Sequence, residues 1–414
     1  MIKITYIYKS LFKILIIAIN SFLFLSKFRN SYSNTINKYQ KEFNYNLNET
    51  YSNKTLLFQK INEYIRLCKK KILINDIPKR RIKNPKISAV IPVYNASNTI
   101  ISAVRSIQNQ DMKEIEIILV DDCSPDNSSN TINQLMLEDK RIQLIKNKEN
   151  KGTLYSRSIG ALNAKGKYIM ALDNDDLFIF GIFNKSYEEA LKNDSDIIEF
   201  SGIQLCRNCS ADKDNIYIPY YLRFKEDGLI VNQPELSKFI YIKTNNFYSY
   251  DFRDVFVWGK LIKTDVYQKA VNLLGDFIYN YTIFLTEDKI FTVALYKVAN
   301  SFKFIDIYGI IYNENPNSIC HSWLKSKKQR ILQDFLLFAI IFFDLYKDSE
   351  EIQIVVEDLK IRAFEYNTFL EGKYKILLHE LYRNILGSKK ILESEKEIIT
   401  KIINQSNITL NLTG

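Results

Sequence analysis

The stretch KISAVIPVYN, residues 86–95, is an apolar run that ends in two polar residues, Tyr94 and Asn95. A short apolar run with polar ends predicts a strand buried on both faces, as strands of parallel sheets are. The segment that follows, SNTIISAVRSI (residues 97–107), has apolar residues three or four positions apart, which predicts a helix. Together the two segments predict the first strand–helix unit of an α/β fold.

The same unit recurs along the chain. Strands are predicted to begin near residues 87, 115, 142 and 168, at intervals of 26 to 28 residues, with a helical segment between each pair. Strands and helices that alternate at this spacing are typical of a mainly parallel sheet with helices on both faces. The sequence therefore predicts an α/β domain whose strands end at a common edge.

The last part of the chain has a different pattern. No proline occurs after Pro316, and residues 326–414 predict a helical appendage. Its segment ILQDFLLFAIIFFDLY is apolar enough to suggest a membrane span, but Asp334 and Asp344 leave only nine uncharged residues between them. Because a span needs about 20 residues, a buried core helix is the better interpretation.

Composition and charge indicate the general class of the protein. The chain has 414 residues, 46% hydrophobic content and only 7 prolines, which excludes a disordered protein. The formal charge is 57 − 47 = +10, and residues 69–86 hold eight basic residues against one acidic residue. Such a run can contact nucleic acid or anionic lipid, but a solvated linker is the commoner cause. We expect no nucleic-acid partner.

The N-terminal sequence raises the question of a membrane anchor. The apolar run Ile14–Leu25 is too short to span a bilayer, but residues 6–25 together approach the required length if their lysines reach the interface. The favoured interpretation is an uncleaved signal-anchor, hence a single-pass, membrane-associated protein, in the secretory pathway or Golgi if eukaryotic. A buried or interfacial helix, or a soluble cytoplasmic protein, is the alternative.

Polar side chains follow each predicted strand. Because the carboxyl ends of parallel strands meet at one edge of a sheet, where ligands bind, these side chains should converge. Acidic residues there can also merely cap the following helices, and we accept that role for Asp176. For the whole set it is a weak explanation, because like charges repel one another. The residues concerned are Tyr94, Asn95, Asp121, Asp122, Asp173, Asn174, Asp175 and Asp176, with the loop NKENKGT after the third strand.

The acidic residues at this edge predict a divalent metal ion. The chain has only two histidines, so a zinc site is disfavoured, and oxygen ligands favour Mg²⁺ or Mn²⁺. Mg²⁺ commonly binds through one or two carboxylates together with phosphate oxygens of a substrate. The sequence therefore predicts that the aspartates hold a cation and that the cation holds a diphosphate.

Four segments in order resemble the family-2 glycosyltransferases, inverting enzymes of the GT-A fold that use nucleotide-diphospho-sugars. They are ISAVIPVYN, ILVDDCSPDNS, NKGTLYSRSIG and GKYIMALDNDD. The resemblance implies donor binding by Pro92, Tyr94, Asp122, Arg157 and Asp173, and metal binding by Asp173 and Asp175. Asp122 would meet the nucleobase, and Arg157 would meet the diphosphate unless it is only a surface helix residue.

The second half resembles the family more loosely. VWGKLIKTDVY is similar to the segment that borders the acceptor site, which implies acceptor roles for Trp258 and Lys260, with a buried core tryptophan as the alternative. LTEDKIF resembles the Glu-Asp motif whose aspartate is the base, here Asp288, with Glu287 beside it at the acceptor. The helical pattern after Thr286 places both acids in the first turn of a helix, where stabilising the helix dipole is the alternative role.

The expected protein is a metal-dependent transferase. It moves a hexosyl or N-acetylhexosaminyl group from a nucleotide-diphosphate donor, with a UDP-sugar favoured, to a hydroxyl of a glycan, lipid or protein. A nucleotidyltransferase and a non-catalytic sugar- or partner-binding relative are the alternatives. The expected domains are a signal-anchor (1–29), a helical stem with a basic linker (30–86), a GT-A domain (87–325) and a C-terminal helical region (326–414).

Overall fold

The computed structural model describes residues 78, 80–206, 215–217, 228–236, 241–244, 247–250, 256–283, 285–313 and 325–405. All of them belong to one compact unit, Leu67–Gly414. The predicted anchor segment and nearly all of the predicted stem lie outside the described residues. The domain limits given above stay predictions.

The first half of the sheet follows the predicted rhythm. Four strands alternate with three helices: β1 (Ile87–Val93), α1 (Ile100–Gln108), β2 (Ile115–Asp121), α2 (Ser128–Glu138), β3 (Ile142–Lys146), α3 (Thr153–Leu162) and β4 (Tyr168–Ala171). Strand β1 pairs in parallel with β2 and β4, and β2 pairs in parallel with β3. All four predicted strand starts are confirmed.

The second half completes the sheet with strands of both directions. The elements are β5 (Leu177–Phe178), α4 (Ile182–Asn193), β6 (Ile197–Cys206), β7 (Asn215–Tyr217), β8 (Ile230–Asn232), β9 (Tyr241–Thr244), β10 (Phe247–Tyr250), β11 (Lys260–Lys263), α5 (Thr264–Leu274), α6 (Asp276–Asn280), α7 (Glu287–Val298) and β12 (Ser301–Asn313). The main sheet runs β3-β2-β1-β4-β11-β6-β12-β5, with β7 beside β6 and β8 beside β12. Strand β11 is antiparallel to both β4 and β6, so the sheet is mixed, as predicted.

Four helices follow the sheet: α8 (Lys325–Tyr346), α9 (Gln353–Phe369), α10 (Gly372–Gly387) and α11 (Glu393–Gln405). Most apolar residues of α8 are buried in the core, and Leu336 and Phe342 are fully buried. A core helix is therefore the correct interpretation of this segment, and the predicted C-terminal helical region is confirmed.

Side chains from β1 point alternately to two cores. Ala89 and Ile91 belong to the core shared with α1, α2 and α4. Val90 belongs to the core shared with α3, α5, α7 and the C-terminal helices. The sheet is thus covered on both faces, which explains why its strands are continuous apolar runs. The C-terminal helices pack on the same face as α7, the helix that carries Glu287 and Asp288.

The prediction of a membrane-associated protein requires correction. In the part of the chain that the structure describes, no helix is both long and apolar enough to cross a bilayer. Residues 6–25 lie outside that part. Their mostly apolar run, Ile14–Leu25, is shorter than the roughly 20 residues that a spanning helix needs, and the signal-anchor and single-pass assignments are withdrawn.

Candidate active site

The candidate active site lies at the carboxyl edge of the sheet, where β1, β2 and β4 end side by side. The backbone N–H of Asp122 donates to the carbonyl of Val93 at 2.8 Å, and that of Leu172 donates to Val90 at 3.0 Å. These bonds hold the residues that follow the three strands next to one another. Their side chains therefore face the crevice in which α/β sheets bind ligands.

Asp122 is buried and organises the loop that follows β3. Its Oδ1 accepts from the side chain of Asn147 at 2.7 Å and from the Lys151 N–H at 2.9 Å, and its Oδ2 accepts from the Gly152 N–H at 2.7 Å. Gly152 has a φ of +88°, and a Cβ there would lie 3.3 Å from the Ile283 carbonyl oxygen. A glycine fits this close approach and positive φ. The contact of Asp122 with a nucleobase stays a prediction.

The turn after β4 is tied to strands on both sides. The Asn174 side chain donates to the Pro92 carbonyl at 3.2 Å. The Asn313 N–H donates to Asp176 Oδ1 at 2.9 Å, and its side chain donates to the Asp175 carbonyl at 2.5 Å. Asp176 is fully buried. It anchors this turn to β12, whereas the sequence suggested a helix cap.

Arg157 joins the two halves of the site. This residue lies in α3 and is buried, which excludes the surface alternative. Its Nη2 donates to Asp173 Oδ1 at 2.5 Å. Its Nη1 donates to Asp288 Oδ1. The Oδ2 atoms of Asp173 and Asp288 accept no hydrogen bond from a described residue, so both remain available to a ligand.

Charges are concentrated around this arginine. Burial acts to lower the pKa of Arg157, but the charges of Asp173 and Asp288 outweigh it and hold the pKa well above its usual value. Burial raises the pKa of Asp288, although Arg157 opposes that shift. Burial and the charge of Asp288 raise the pKa of Glu287 to about 8, so Glu287 carries its proton at neutral pH.

Trp258 and Lys260 are both buried. Trp258 is 4% exposed and its ring stacks on Tyr312 with centroids 5.9 Å apart. The Lys260 Nζ lies 3.1 Å from Glu199 and donates to the Phe256 carbonyl at 2.5 Å. Trp258 is therefore a buried core tryptophan, which was the alternative interpretation of the sequence. Acceptor contacts for both residues stay predictions.

Tyr94 and Pro92 occupy opposite environments at the end of β1. The Tyr94 side chain is 47% exposed, which leaves its ring open to a planar ligand. Pro92 is buried, and its carbonyl holds the turn after β4. Pro92 therefore acts on the site through the backbone in this structure.

Known proteins resemble this chain in sequence. The family model for glycosyl transferase family 2 matches residues 88–262. The uncharacterized glycosyltransferase EpsJ of Bacillus subtilis is 30% identical over 263 residues, which cover 63% of this chain and 71% of EpsJ. The chain belongs to glycosyltransferase family 2.

One further relative and one solved structure resemble this family-2 glycosyltransferase. The UDP-Glc:alpha-D-GlcNAc-diphosphoundecaprenol beta-1,3-glucosyltransferase WfaP of Escherichia coli is 41% identical over 93 residues, 22% of this chain and 36% of WfaP. The crystal structure of S. aureus TarS in complex with UDP-GlcNAc matches with a TM-score of 0.51 at 16% identity, over 78% of this chain and 88% of that one. The latter likeness shows the fold alone, and the GT-A fold is thereby confirmed.

The donor set of this glycosyltransferase suits a hard cation. No cluster of three or more potential metal ligands occurs among the residues that the structure describes. Mg²⁺, however, needs only one or two carboxylates when phosphate oxygens complete its shell. Burial and the charges of Asp173 and Asp175 raise the pKa of Asp176, and its Oδ2 is buried without a hydrogen-bond partner among the described residues. A bound cation would reduce the repulsion among the carboxylates at this edge of the sheet. Asp173 and Asp175 therefore fit a divalent metal ion.

Three supporting residues were not identified from the sequence. Asn147 holds Asp122, Asn313 holds Asp176, and Asp334 contacts the segment before α7. Asn147 carried a weak signal, because it begins the loop after β3. Asn313 and Asp334 gave no local signal, since each contact depends on elements that are distant along the chain.

Proposed function

We propose that this glycosyltransferase transfers one sugar from a UDP-sugar to a hydroxyl of a glycan- or lipid-linked acceptor, with inversion and with a divalent cation. The observation that carries the proposal is the contact of Arg157 with both Asp173 and Asp288. Asp173, which would bind the donor, and Asp288, which would be the base, thereby contact the same buried guanidinium group. Donor and acceptor would meet at this point.

The proposed donor side consists of the residues after β1, β2 and β4. Tyr94 would stack on the base, because its ring is exposed at the strand end. Asp122 would accept from the base or the ribose through Oδ2, which accepts from the Gly152 N–H and from no other described residue. Arg157 would contact the diphosphate with its planar, permanently charged guanidinium. The UDP-Glc donor in the name of WfaP supports a uridine nucleotide.

The proposed reaction is a single in-line displacement. The acceptor oxygen forms a bond to the anomeric carbon while the bond from that carbon to the diphosphate oxygen breaks, so the configuration inverts. Asp288 Oδ2 takes the hydroxyl proton, and UDP departs with the electron pair of the broken bond. A positioned base of this kind contributes typically about 10²–10⁴-fold.

The proposed cation would be held by Asp173 and Asp175. When bound, Mg²⁺ or Mn²⁺ neutralises charge on the diphosphate. The chain's own residues contribute to the same end, because the buried Arg157 supplies a fixed positive charge beside Asp173.

The proposed acceptor side begins with Glu287. Because its pKa is about 8, it can donate a hydrogen bond to a sugar oxygen at neutral pH. Trp258 and Lys260 would also belong to the acceptor side, since the charge of Lys260 acts to lower the pKa of Asp288. The transferred group is proposed to be a hexosyl or N-acetylhexosaminyl group. Residues 87–325 would form the catalytic domain, and residues 326–414 would be a helical region that supports it.

Titration of the purified protein with UDP-sugars tests the proposal. Calorimetry with Mn²⁺ present should show binding of at least one UDP-sugar, and release of UDP should follow when an acceptor glycoside is added. Chelation of the cation should abolish both signals. If no nucleoside diphosphate or its sugar binds, with or without Mn²⁺, the proposed function fails.

A further inference from the structure

The start of α7 is held by the C-terminal helix α8. Thr286 occupies the N-cap position of α7, but its side chain makes no capping bond to the helix. The hydroxyl donates instead to the backbone carbonyl of Asp334 at 3.2 Å. The Leu285 N–H donates to Asp334 Oδ2 at 2.8 Å. One residue of α8 therefore holds two consecutive residues that immediately precede Glu287 and Asp288.

The next residue of α8 supports the same turn from the side. The Phe335 ring lies 5.1 Å from the Nζ of Lys289, the residue that follows Asp288. The Arg362 guanidinium of α9 lies 3.9 Å from the centre of the same ring. Arg362 is itself held by Asp358, whose Oδ1 accepts from its Nε at 2.7 Å. Helix α8 thus contacts the chain both before Asp288, at Thr286, and after it, at Lys289.

Asp334 places a carboxylate at a buried position of α8. Asp334 is 2% exposed and lies between apolar core residues of α8 such as Leu332 and Leu336. A buried carboxylate costs free energy unless hydrogen bonds compensate. An apolar side chain would cost less free energy to bury, but it could not accept a hydrogen bond from the Leu285 N–H. This hydrogen bond gives a reason for a carboxylate at the buried position.

We infer that Asp334 is a positioning residue for sugar transfer, which fixes the first turn of α7 so that Asp288 meets the acceptor hydroxyl. The inference rests on the proposed function. Asp288 must keep its contact with Arg157 and still present Oδ2, and a displacement of about 1 Å can cost about 10²-fold in rate. The C-terminal helices would then act on the reaction itself.

Three variants test the inference. Asp334→Ala removes the acceptor of the Leu285 N–H and should lower the transfer kcat about 10- to 100-fold, with donor affinity unchanged because the donor residues lie on other elements. Asp334→Asn keeps a side-chain carbonyl and should restore most of the rate. Asp344→Ala removes an exposed aspartate from the same helix, and as the control it should transfer normally.

The outcomes separate the two claims. Equal losses in kcat and donor affinity, no rescue by Asn, or transfer by Asp334→Ala within about threefold of wild type would overturn the inference. If Asp334→Ala does not fold, Thr286→Val removes only the hydroxyl contact and should lower kcat alone, and a normal kcat there overturns the inference. Asp288→Asn is measured in parallel: if it transfers normally, the proposed function fails, whereas normal transfer by the Asp334 variants alone rejects only the positioning role.

Discussion

Arg157 and Asp288 are 131 positions apart in the sequence, yet the guanidinium of one donates to the carboxylate of the other. Their side chains are only 5% and 19% exposed, so the pair lies in a poorly solvated environment. A charge pair there is strongly coupled, and removing one member leaves an uncompensated charge. The pair connects α3, which follows the loop after β3, with α7, which carries the proposed base. Changes at Arg157 should therefore affect both halves of the site.

Arg157→Lys should reduce transfer by at least about 10²-fold, as the loss of one fixed donor does in other enzymes. A lysine is a compact charge and cannot contact Asp173 and Asp288 with the geometry of a planar fork. Donor affinity should fall as well, because the diphosphate loses its partner. Arg105→Lys is the control, since Arg105 is also buried and ion-paired, to Glu138 on the other face of the sheet. Normal donor affinity in Arg157→Lys would contradict the proposed role.

Asp175→Asn should abolish metal-dependent donor binding and leave the fold intact. The variant removes one of two proposed cation ligands and also relieves repulsion among the carboxylates of this turn. Calorimetric titration with a UDP-sugar and Mn²⁺ measures the loss. Asp111→Asn, an exposed aspartate before β2, controls for the change in net charge. Unchanged affinity in Asp175→Asn would remove the metal assignment.

Glu287→Gln should stabilise the fold at alkaline pH. The pKa of Glu287 rises from 4.5 to about 8 on folding. Between these values the folded state binds the extra proton, so the stability of the wild type falls as pH rises through this window. Glutamine stays neutral and escapes that penalty. The melting temperature of the variant should match that of the wild type near pH 4 and exceed it near pH 9. A pH-independent difference would contradict the raised pKa.

Much of the fold was predictable because its signals are local. The apolar runs of β1 to β4 lie one helix apart, and parallel pairing then brings Asp122 and Asp173 to the same edge. The glutamate and aspartate at the start of α7 were also placed correctly within that helix. These features depend on spacing within short segments, which a single sequence displays.

The rest depends on contacts between distant segments. Lys260 is buried against Glu199 because β11 lies between β4 and β6, an order that no local pattern indicates. The same insertion places Trp258 in the core. Thr286 has the residue type of a helix cap, but α8 competes for its hydroxyl. Tertiary packing therefore decided the roles of these side chains.

Tyr94→Ala should weaken donor binding by about 1–3 kcal/mol, the usual contribution of a ring that stacks on a base. Tyr94→Phe keeps the ring and should bind the donor nearly as well as wild type. Leu137→Ala, at an exposed apolar position near the end of α2, is the control for loss of exposed apolar surface. Equal affinity of the Ala and Phe variants for UDP would show that the ring does not stack.

The central claim is that Asp288 accepts the proton of the acceptor hydroxyl. Its most direct test is to measure donor affinity and transfer rate together in Asp288→Asn. We predict that the variant binds the UDP-sugar with Mn²⁺ as wild type does and loses transfer by about 10²–10⁴-fold, the contribution of a positioned base. If acids at the start of α7 only stabilise the helix dipole, stability falls by about 0.3–1 kcal/mol. Transfer within about threefold of wild type would contradict the account, and the base would then have to lie elsewhere, with Glu287 the next candidate.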